Sequence, residues 1–418
     1  MSIQSDYECF KRELFDKIRK DKKKSIGIIE KYNKVIEYFL IGNRPTEIKS
    51  FVNEFNEVVL KPNINNYNIF EVILKHKLFI DVLAQFRESD ILIRACKKGD
   101  RILAEWLLTM DINYGVKDDY GMTALMYAVK KPHLFGVVKE IMNTNGKHIQ
   151  LCDNNGNNAL FYATEEDETL NNFLEYKDIF DPNHLNNDNE NIILYCCRYG
   201  KMKGEKYLDI LNKYDCQEPN ITNSKGKTAA MYLAEQGKYK ELVLFLEENG
   251  IHPNYKNTFR NSIISVFIKA YYKFYISKAE KIPSSDMDGF GLNIKEYKNY
   301  AHTLEALVSL GCDFTIPIDS NNNTVGSILS KMKDEVSIQY LLENGCIEYS
   351  LENKNDNDQD YRRIDESNPI VKKHLKEIKK WMKEVYYFEN NESYNLKVKL
   401  MLKAPSVVVM NLMDAIIF

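Results

Sequence analysis

The sequence predicts an all-α fold: an α-solenoid of helix-turn-helix repeats with short extended fingers between them and helical caps at both ends. Three observations carry this expectation. A position rich in glycine returns along the chain at a near-constant period, the signature of a repeat architecture. Between its returns, apolar residues follow i, i+3, i+4 spacing in paired runs separated by turn residues. The chain also has 418 residues, more than one compact core usually accommodates, so it forms several domains or one elongated array.

Composition bounds the function classes. With 44% hydrophobic and 28% charged residues, the chain is neither disordered nor membrane-embedded. Its 57 basic and 60 acidic side chains leave a net charge of -3, which creates no global basic field for nucleic acid. The opening "MSIQSDYECFKREL" lacks the apolar centre of a secretory signal. No run of about 18 clean apolar residues occurs: Lys269 and Lys273 interrupt 261–276, and Lys403, Pro405 and Asp414 interrupt 400–418. The expected setting is cytoplasmic, with the nucleus as the other option, and the expected state is a monomer with no transmembrane segment. Cysteines 9, 96, 152, 196, 197, 216, 312 and 346 show no metal-ligand or disulfide-framework spacing, and read as reduced thiols.

In chain order, 1–87 holds the amphipathic stretches "SDYECFKRELFDKIRKD", "IIEKYNKVIEYFLIG", "RPTEIKSFVNEFNEVVL" and "IFEVILKHKLFIDVLAQF". This segment is expected to be an N-terminal helical cap, with room for degenerate repeats, because the first repeat would otherwise expose apolar surface.

The repeat array is expected over 88–350. Its phase mark falls at Glu88, Gly121, Gly156, Asn189, Gly226, Arg260 and Asn322, at spacings of 33, 35, 33, 37, 34 and 62. Two residues later stand Asp90, Thr123, Asn158, Asn191, Thr228, Ser262 and Thr324, short polar side chains of the kind that cap helix N-termini. Seven residues past the mark, Ala95, Ala128, Ala163 and Cys196 are small enough for a neighbouring helix to come close. Gly99, Gly200 and Gly237, eleven past it, can end a helix in the left-handed conformation, and Pro132 stops one in the same slot. Second helices follow at "DRILAEWLL", "KELVLFLEENG", "AHTLEALVSLG" and "SIQYLLENG". One such hairpin cannot bury its apolar stripe alone and must stack on its neighbours.

The long spacing conceals an insertion at about 271–300, which reads as a helix extension with a surface loop; a contribution to a binding face is the alternative. The polar stretch 351–367 is expected to be a linker. A C-terminal helical cap is expected over 368–418, opening with Asn368-Pro369 and presenting Val371, Leu375, Ile378, Met382 and Val385 on one face, with lysines over much of the rest. That basic face is either solvated or available to an acidic partner or membrane surface.

These patterns resemble the ankyrin repeat, whose first helix opens Gly-x-Thr-Pro-Leu-His-x-Ala. The best matches are "GMTALMYAV" (121–129), "GNNALFYAT" (156–164) and "GKTAAMYLA" (226–234). Alanine replaces the family's proline, and methionine or phenylalanine its histidine, so looser fingers are expected. The resemblance implies a protein-binding module whose partner docks on the concave face of finger tips and first helices. By the same resemblance the variable tip positions include Asp119, Tyr120, Met122, Asn154, Asn155, Asn157, Ser224, Lys225, Lys227, Thr258, Phe259 and Asn261, with Tyr120 and Phe259 as anchor candidates. An adaptor recruiting a second protein, such as a ubiquitin-ligase subunit, through its terminal helices is the alternative, and an enzyme with a site in the terminal regions is a further one.

Motifs for chemistry are missing. The sequence contains no phosphate-cradling glycine loop, HExxH or nucleophile elbow. No enzyme activity, cofactor or metal is therefore expected. Adjacent Cys196 and Cys197 would point about 100° apart on a helix, poorly placed for one metal, and read as core filler. "RKDKKK" at 19–24 reads as a solvated helix end, with nuclear import as the alternative.

Overall fold

The structure, a computed structural model, describes residues 3–18, 22–42, 44–61, 67–144, 146–165, 167–199, 205–213, 216, 218–256, 261–280, 294–348 and 369–387. The linker segment 351–367, the apolar end 404–418 and most of "RKDKKK" lie outside these. The fold is an all-α solenoid, and among the described residues there is no β-strand. The chain divides into two units, Met1–Asn187 and Asp188–Phe418.

In the first unit, helices Ile3–Lys17, Lys22–Lys31, Asn33–Leu40, Pro45–Val59, Asn68–Leu74 and Ile80–Arg87 precede the repeats. An aromatic seam joins them. Phe10 stacks on Phe51 at 6.0 Å, Phe51 on Phe79 at 5.7 Å, and Phe55 meets Phe86 edge-on at 6.0 Å. The seam ends on the first hairpin, where Trp106 stacks on Tyr67 at 4.9 Å. Offset and edge-on pairs of this kind add to area burial, so these helices and the first hairpin share one core.

Three hairpins follow: Ile91–Lys98 with Arg101–Leu108, Ala124–Ala128 with Phe135–Asn143, and Ala159–Ala163 with Asp167–Phe173. Their first helices pack consecutively. Ala95, Ala128 and Ala163 are completely buried at the contacts, as expected of side chains that let backbones approach.

The second unit repeats the scheme with Ile192–Arg198 and Glu205–Asn212, Ala229–Glu235 and Tyr239–Glu248, Ile263–Glu280 and Ile294–Ser309, then Val325–Met332 and Glu335–Glu343. The third of these pairs is long, 18 and 16 residues. Residues 271–280 and 294–300 continue its two helices, burying Tyr271, Tyr275 and Tyr297, whereas 281–293 lie outside the described residues. A last helix, Pro369–Tyr387, packs on that long hairpin and on Glu335–Glu343. Leu375, Ile378, Met382 and Val385 are buried in the contact, and Tyr386 stacks on Tyr340 at 4.4 Å. Lys372, Lys376, Lys380 and Lys383 face solvent.

Local chemistry sets the helix ends. Thr123, Asn158, Asn191, Thr228, Ser262 and Thr324 each accept a backbone N–H from the first turn. Asp90 is an exception: a helix starts at Ile91, but the Asp90 side chain makes no cap bond, because its backbone is turned away from the extended capping conformation. Gly99 and Gly237 close helices at φ 78° and 68°. No described helix is long and apolar enough to cross a membrane.

Candidate partner-binding face

Four finger tips are each built on one Asx residue three before the mark. Asp118 Oδ1 accepts the N–H groups of Tyr120 and Met122 at 3.0 and 2.9 Å, and its own N–H donates to the Met122 carbonyl at 3.0 Å. Asp153 holds Asn155 and Asn157 identically, at 2.9 and 2.8 Å. Asn223 holds Lys225 and Lys227 at 3.0 and 3.1 Å, and Asp319 holds Asn321 and Asn323 at 2.9 and 3.1 Å. A short polar side chain thereby satisfies the backbone donors of a tight turn. The mark closes that turn in the left-handed region, at Gly121 (φ 75°), Gly156 (80°) and Gly226 (67°), with Asn322 (56°) in the same place.

The first helix then braces the tip. The Tyr127 hydroxyl donates to Asp118 Oδ2 at 2.8 Å, the Tyr162 hydroxyl donates to Asp153 Oδ2, and Asn223 Nδ2 donates to the Tyr232 hydroxyl at 3.0 Å. Burial, and then the bond to Asp118, push the Tyr127 phenol up to about 12. The expectation of looser fingers is corrected here. Where the family pattern has a histidine, these repeats brace the finger with a tyrosine one residue further on. Sequence reasoning missed the brace, although its signal is present: an Asx and a tyrosine nine residues apart, in three copies.

Adjacent fingers are stitched by asparagine. Asn154 donates its N–H to the Tyr120 carbonyl at 3.0 Å and its Nδ2 to the Asp119 carbonyl at 2.9 Å. Asn187 does the same to Asn155 and Asn154, at 2.9 and 3.0 Å. In the second unit, Ser224 donates to the Asp188 carbonyl at 2.7 Å and Asn261 Nδ2 to the Gly226 carbonyl at 3.0 Å. Below them Arg198 pairs with Asp188 and, at 2.8 Å, with the wholly buried Glu190, which also accepts from Asn223 at 3.0 Å. The Arg198 guanidinium holds the Asp188 carboxyl below the usual carboxylate range.

This geometry sorts the tip residues. Asp119, Tyr120, Asn154, Asn155, Ser224 and Lys225 are exposed, Tyr120 at 67%. Met122 and Asn157 are buried, and Asn157 Oδ1 accepts from Asn186 at 3.1 Å. Lys227 reaches Glu235 at 2.5 Å and lies over the Tyr232 ring at 5.0 Å. Asn154 and Asn261 spend their amides on the neighbouring finger. Thr258 and Phe259 lie outside the described residues.

One juxtaposition invites a chemical role. The Cys152 thiol lies 3.5 Å from His184 Nε2. The same Nε2 is 2.8 Å from the Gly156 carbonyl, which only accepts, so that nitrogen carries the proton and offers no lone pair to the thiol. Burial raises the thiol rather than activating it. In the second unit a cleft of about 430 Å³ is lined by Ile193, Asp209, Asn212, Cys216, Glu248 and Asn249. There Cys216 Sγ accepts from Asn191 at 3.1 Å, and no imidazole stands among these lining residues. None of the eight cysteines forms a disulfide among the described residues. Among the described residues no three histidine, cysteine or acidic side chains gather as a metal site.

Ankyrin repeats match residues 92–181 in three copies. No curated protein matches the chain. Among solved structures, it is similar to a chain in that of a predatory endopeptidase from Bdellovibrio bacteriovorus in complex with an immunity protein. That likeness has 21% identity and a TM-score of 0.37, and covers 44% of this chain and 94% of that one. The chain thus carries ankyrin repeats, an array that indicates a protein–protein interaction module.

Proposed function

We propose that the chain holds a partner protein on the face formed by its finger tips and first helices, with Tyr120 as the principal anchor. One observation carries this: Tyr120 is 67% exposed, yet its backbone is fixed on both sides, the N–H by Asp118 and the carbonyl by Asn154. A large amphipathic side chain on a preformed support loses little freedom on binding, and such residues dominate interface energy. Asp119 and Asn155 supply polar contacts beside it in the first unit. Ser224 and Lys225 are exposed tip residues of the second unit, and Thr258 and Phe259 join the tips of that unit by sequence position alone. A monomer acting in the cytoplasm or nucleus, without nucleic acid, completes the proposal.

The adaptor alternative needs a terminal surface as well. In the helix Pro369–Tyr387 the apolar face is consumed by the chain's own repeats, which leaves its lysine stripe as the available feature. Site-specific photocrosslinking tests the main proposal, with benzoylphenylalanine placed at Tyr120 or at Ile102, an exposed residue of the Arg101–Leu108 helix. A protein adduct from position 120 and not from 102 is expected. Adducts only from 102 would refute it.

A further inference from the structure

Resting on that face, we infer that the bound segment of the partner is acidic, with an apolar or aromatic side chain for Tyr120. The first two repeats place Arg94, Lys97, Lys98, Lys130 and Lys131 on and beside their first helices. Two of these are neutralised from within: Arg94 pairs with Glu57 at 2.5 Å and Lys130 with Glu165 at 3.2 Å. Lys97, Lys98 and Lys131 have no carboxylate at ion-pair distance among the described residues.

Their positions are fixed by contacts that leave the charge unspent. The Lys97 ammonium lies 6.0 Å from the Tyr120 ring centre and 5.4 Å from that of Tyr127, tying the basic cluster to the exposed anchor. Lys98 Nζ donates to the Leu60 carbonyl at 3.3 Å, a neutral partner. The Lys131 stem packs beside Gly99, where an added Cβ would come within 3.4 Å of its Cδ. His133 Nε2 meets the Gly99 carbonyl at 3.1 Å, so that imidazole caps the helix end and adds no acid.

Two acids of this face are engaged: Asp118 by its finger and Tyr127, and Asp100 by the N–H of Leu103. Asp119, exposed at the tip, and Asp90, exposed at the start of the Ile91–Lys98 helix without a cap bond, remain as local acids and would favour basic or neutral residues where the bound segment passes them. Three uncompensated ammonium groups around an exposed tyrosine complement carboxylates bracketing a ring or aliphatic side chain, and such complementarity sets partner choice and encounter rate.

The test uses the full chain as bait for a displayed library of random twelve-residue peptides, with binding sites mapped by hydrogen exchange. Enriched peptides are expected to be net acidic with at least one large apolar residue, to protect the backbone around 118–131, and to lose about tenfold or more in affinity to Lys97→Glu/Lys131→Glu. Hydrogen exchange of the free variant establishes that it is folded. Neutral or basic peptides protecting the same backbone would overturn the acidic inference and leave the face standing. Peptides protecting only other surfaces would overturn both. Binding of a twelve-nucleotide oligouridylate through the same lysines, with no acidic peptide enriched, would assign the cluster to nucleic acid and refute the inference.

Discussion

The Tyr127 hydroxyl donates to Asp118 Oδ2 at 2.8 Å, across a gap of nine residues that takes the chain around a finger tip and into the next helix. Asp118 Oδ1 is meanwhile filled by two backbone N–H groups. One carboxylate therefore ties the turn to itself and to the scaffold, and Tyr162 with Asp153 repeats the arrangement in the next finger.

Removing the brace has a definite expected cost. Tyr127→Phe leaves the Asp118 oxygen without its partner in a half-buried setting, a loss of about 1–2 kcal/mol. Tyr162→Phe costs more, because Tyr162 is only 8% exposed. Urea unfolding followed by Trp106 reads this, since the chain's 2 tryptophans fall one in each unit and Trp381→Phe isolates the first. The pH dependence has a fixed sign. The folded phenol of Tyr127 lies near 12, above its ordinary 10.0, so its contribution is complete below pH 10 and is lost as pH rises through about 12. Tyr127→Phe should lack that part of the alkaline decline; an unchanged decline would disprove the brace.

Gly121 serves two demands at once. Its φ is 75°, and a Cβ there would lie 2.4 Å from Asn154 Oδ1 and 2.7 Å from the Asn154 backbone nitrogen. The side chain could move, but the backbone nitrogen is held by its bond to Tyr120. Gly42 has φ 82° with nothing within 4 Å. Gly42→Ala should therefore cost about 1 kcal/mol from the left-handed backbone alone, and Gly121→Ala at least about 2 kcal/mol more, from steric displacement of the next finger. Equal losses in Trp106-monitored unfolding would show that the fingers are not in tight register.

What the sequence disclosed and what it hid divide along one line. Thr123, Asn158 and Thr228 were legible as caps because a capping bond reaches only two or three residues. Ala95 and Ala128 were legible because a small residue at helical spacing implies a close neighbour. The stitching by Asn154 was not, since its acceptors lie in the preceding repeat, up to 35 residues away. The tip list suffered for the same reason: register placed Met122 and Asn157 on the finger, but whether a finger side chain points out or in depends on the adjacent repeat, and both point in. The apolar face of Pro369–Tyr387 was visible, yet its counterpart comes from the long hairpin and Glu335–Glu343, distant in sequence, with the Tyr271 hydroxyl 3.3 Å from Met382 Sδ.

Lys333 occupies the helix-ending slot filled elsewhere by Gly99 and Gly237, with φ 59°. A lysine in the left-handed region costs about 1 kcal/mol, partly offset by the greater freedom that glycine would have when unfolded. Lys333→Gly is accordingly expected to stabilise the second unit by about 0.5 kcal/mol. The urea midpoint reported by Trp381 in a Trp106→Phe background checks it, and a destabilised variant would contradict this account of the slot.

Asp334 is a wholly buried carboxylate at the start of the last repeat's second helix. Oδ1 accepts the Ser337 N–H at 3.1 Å and Oδ2 the Tyr271 hydroxyl at 2.8 Å. Burial raises its pKa above the ordinary 3.8, and the bonds from Ser337 and Tyr271 together with the nearby Lys379 charge oppose that rise only in part. A carboxyl whose folded pKa is raised contributes stability below its ordinary value and loses it as pH rises through the folded one. The second unit should therefore weaken as pH rises from about 4 across the Asp334 titration. Asp334→Asn keeps an oxygen for the Ser337 N–H and turns its NH2 toward the Tyr271 hydroxyl oxygen, which can accept, while removing the charge, so it should flatten that decline and leave the unit at least as stable at neutral pH. Trp381 fluorescence during urea unfolding at a series of pH values measures both. A variant with the wild-type slope would show that the decline belongs to another group, and one that unfolds earlier at neutral pH would show that the ionised carboxylate is what the Tyr271 and Ser337 bonds require.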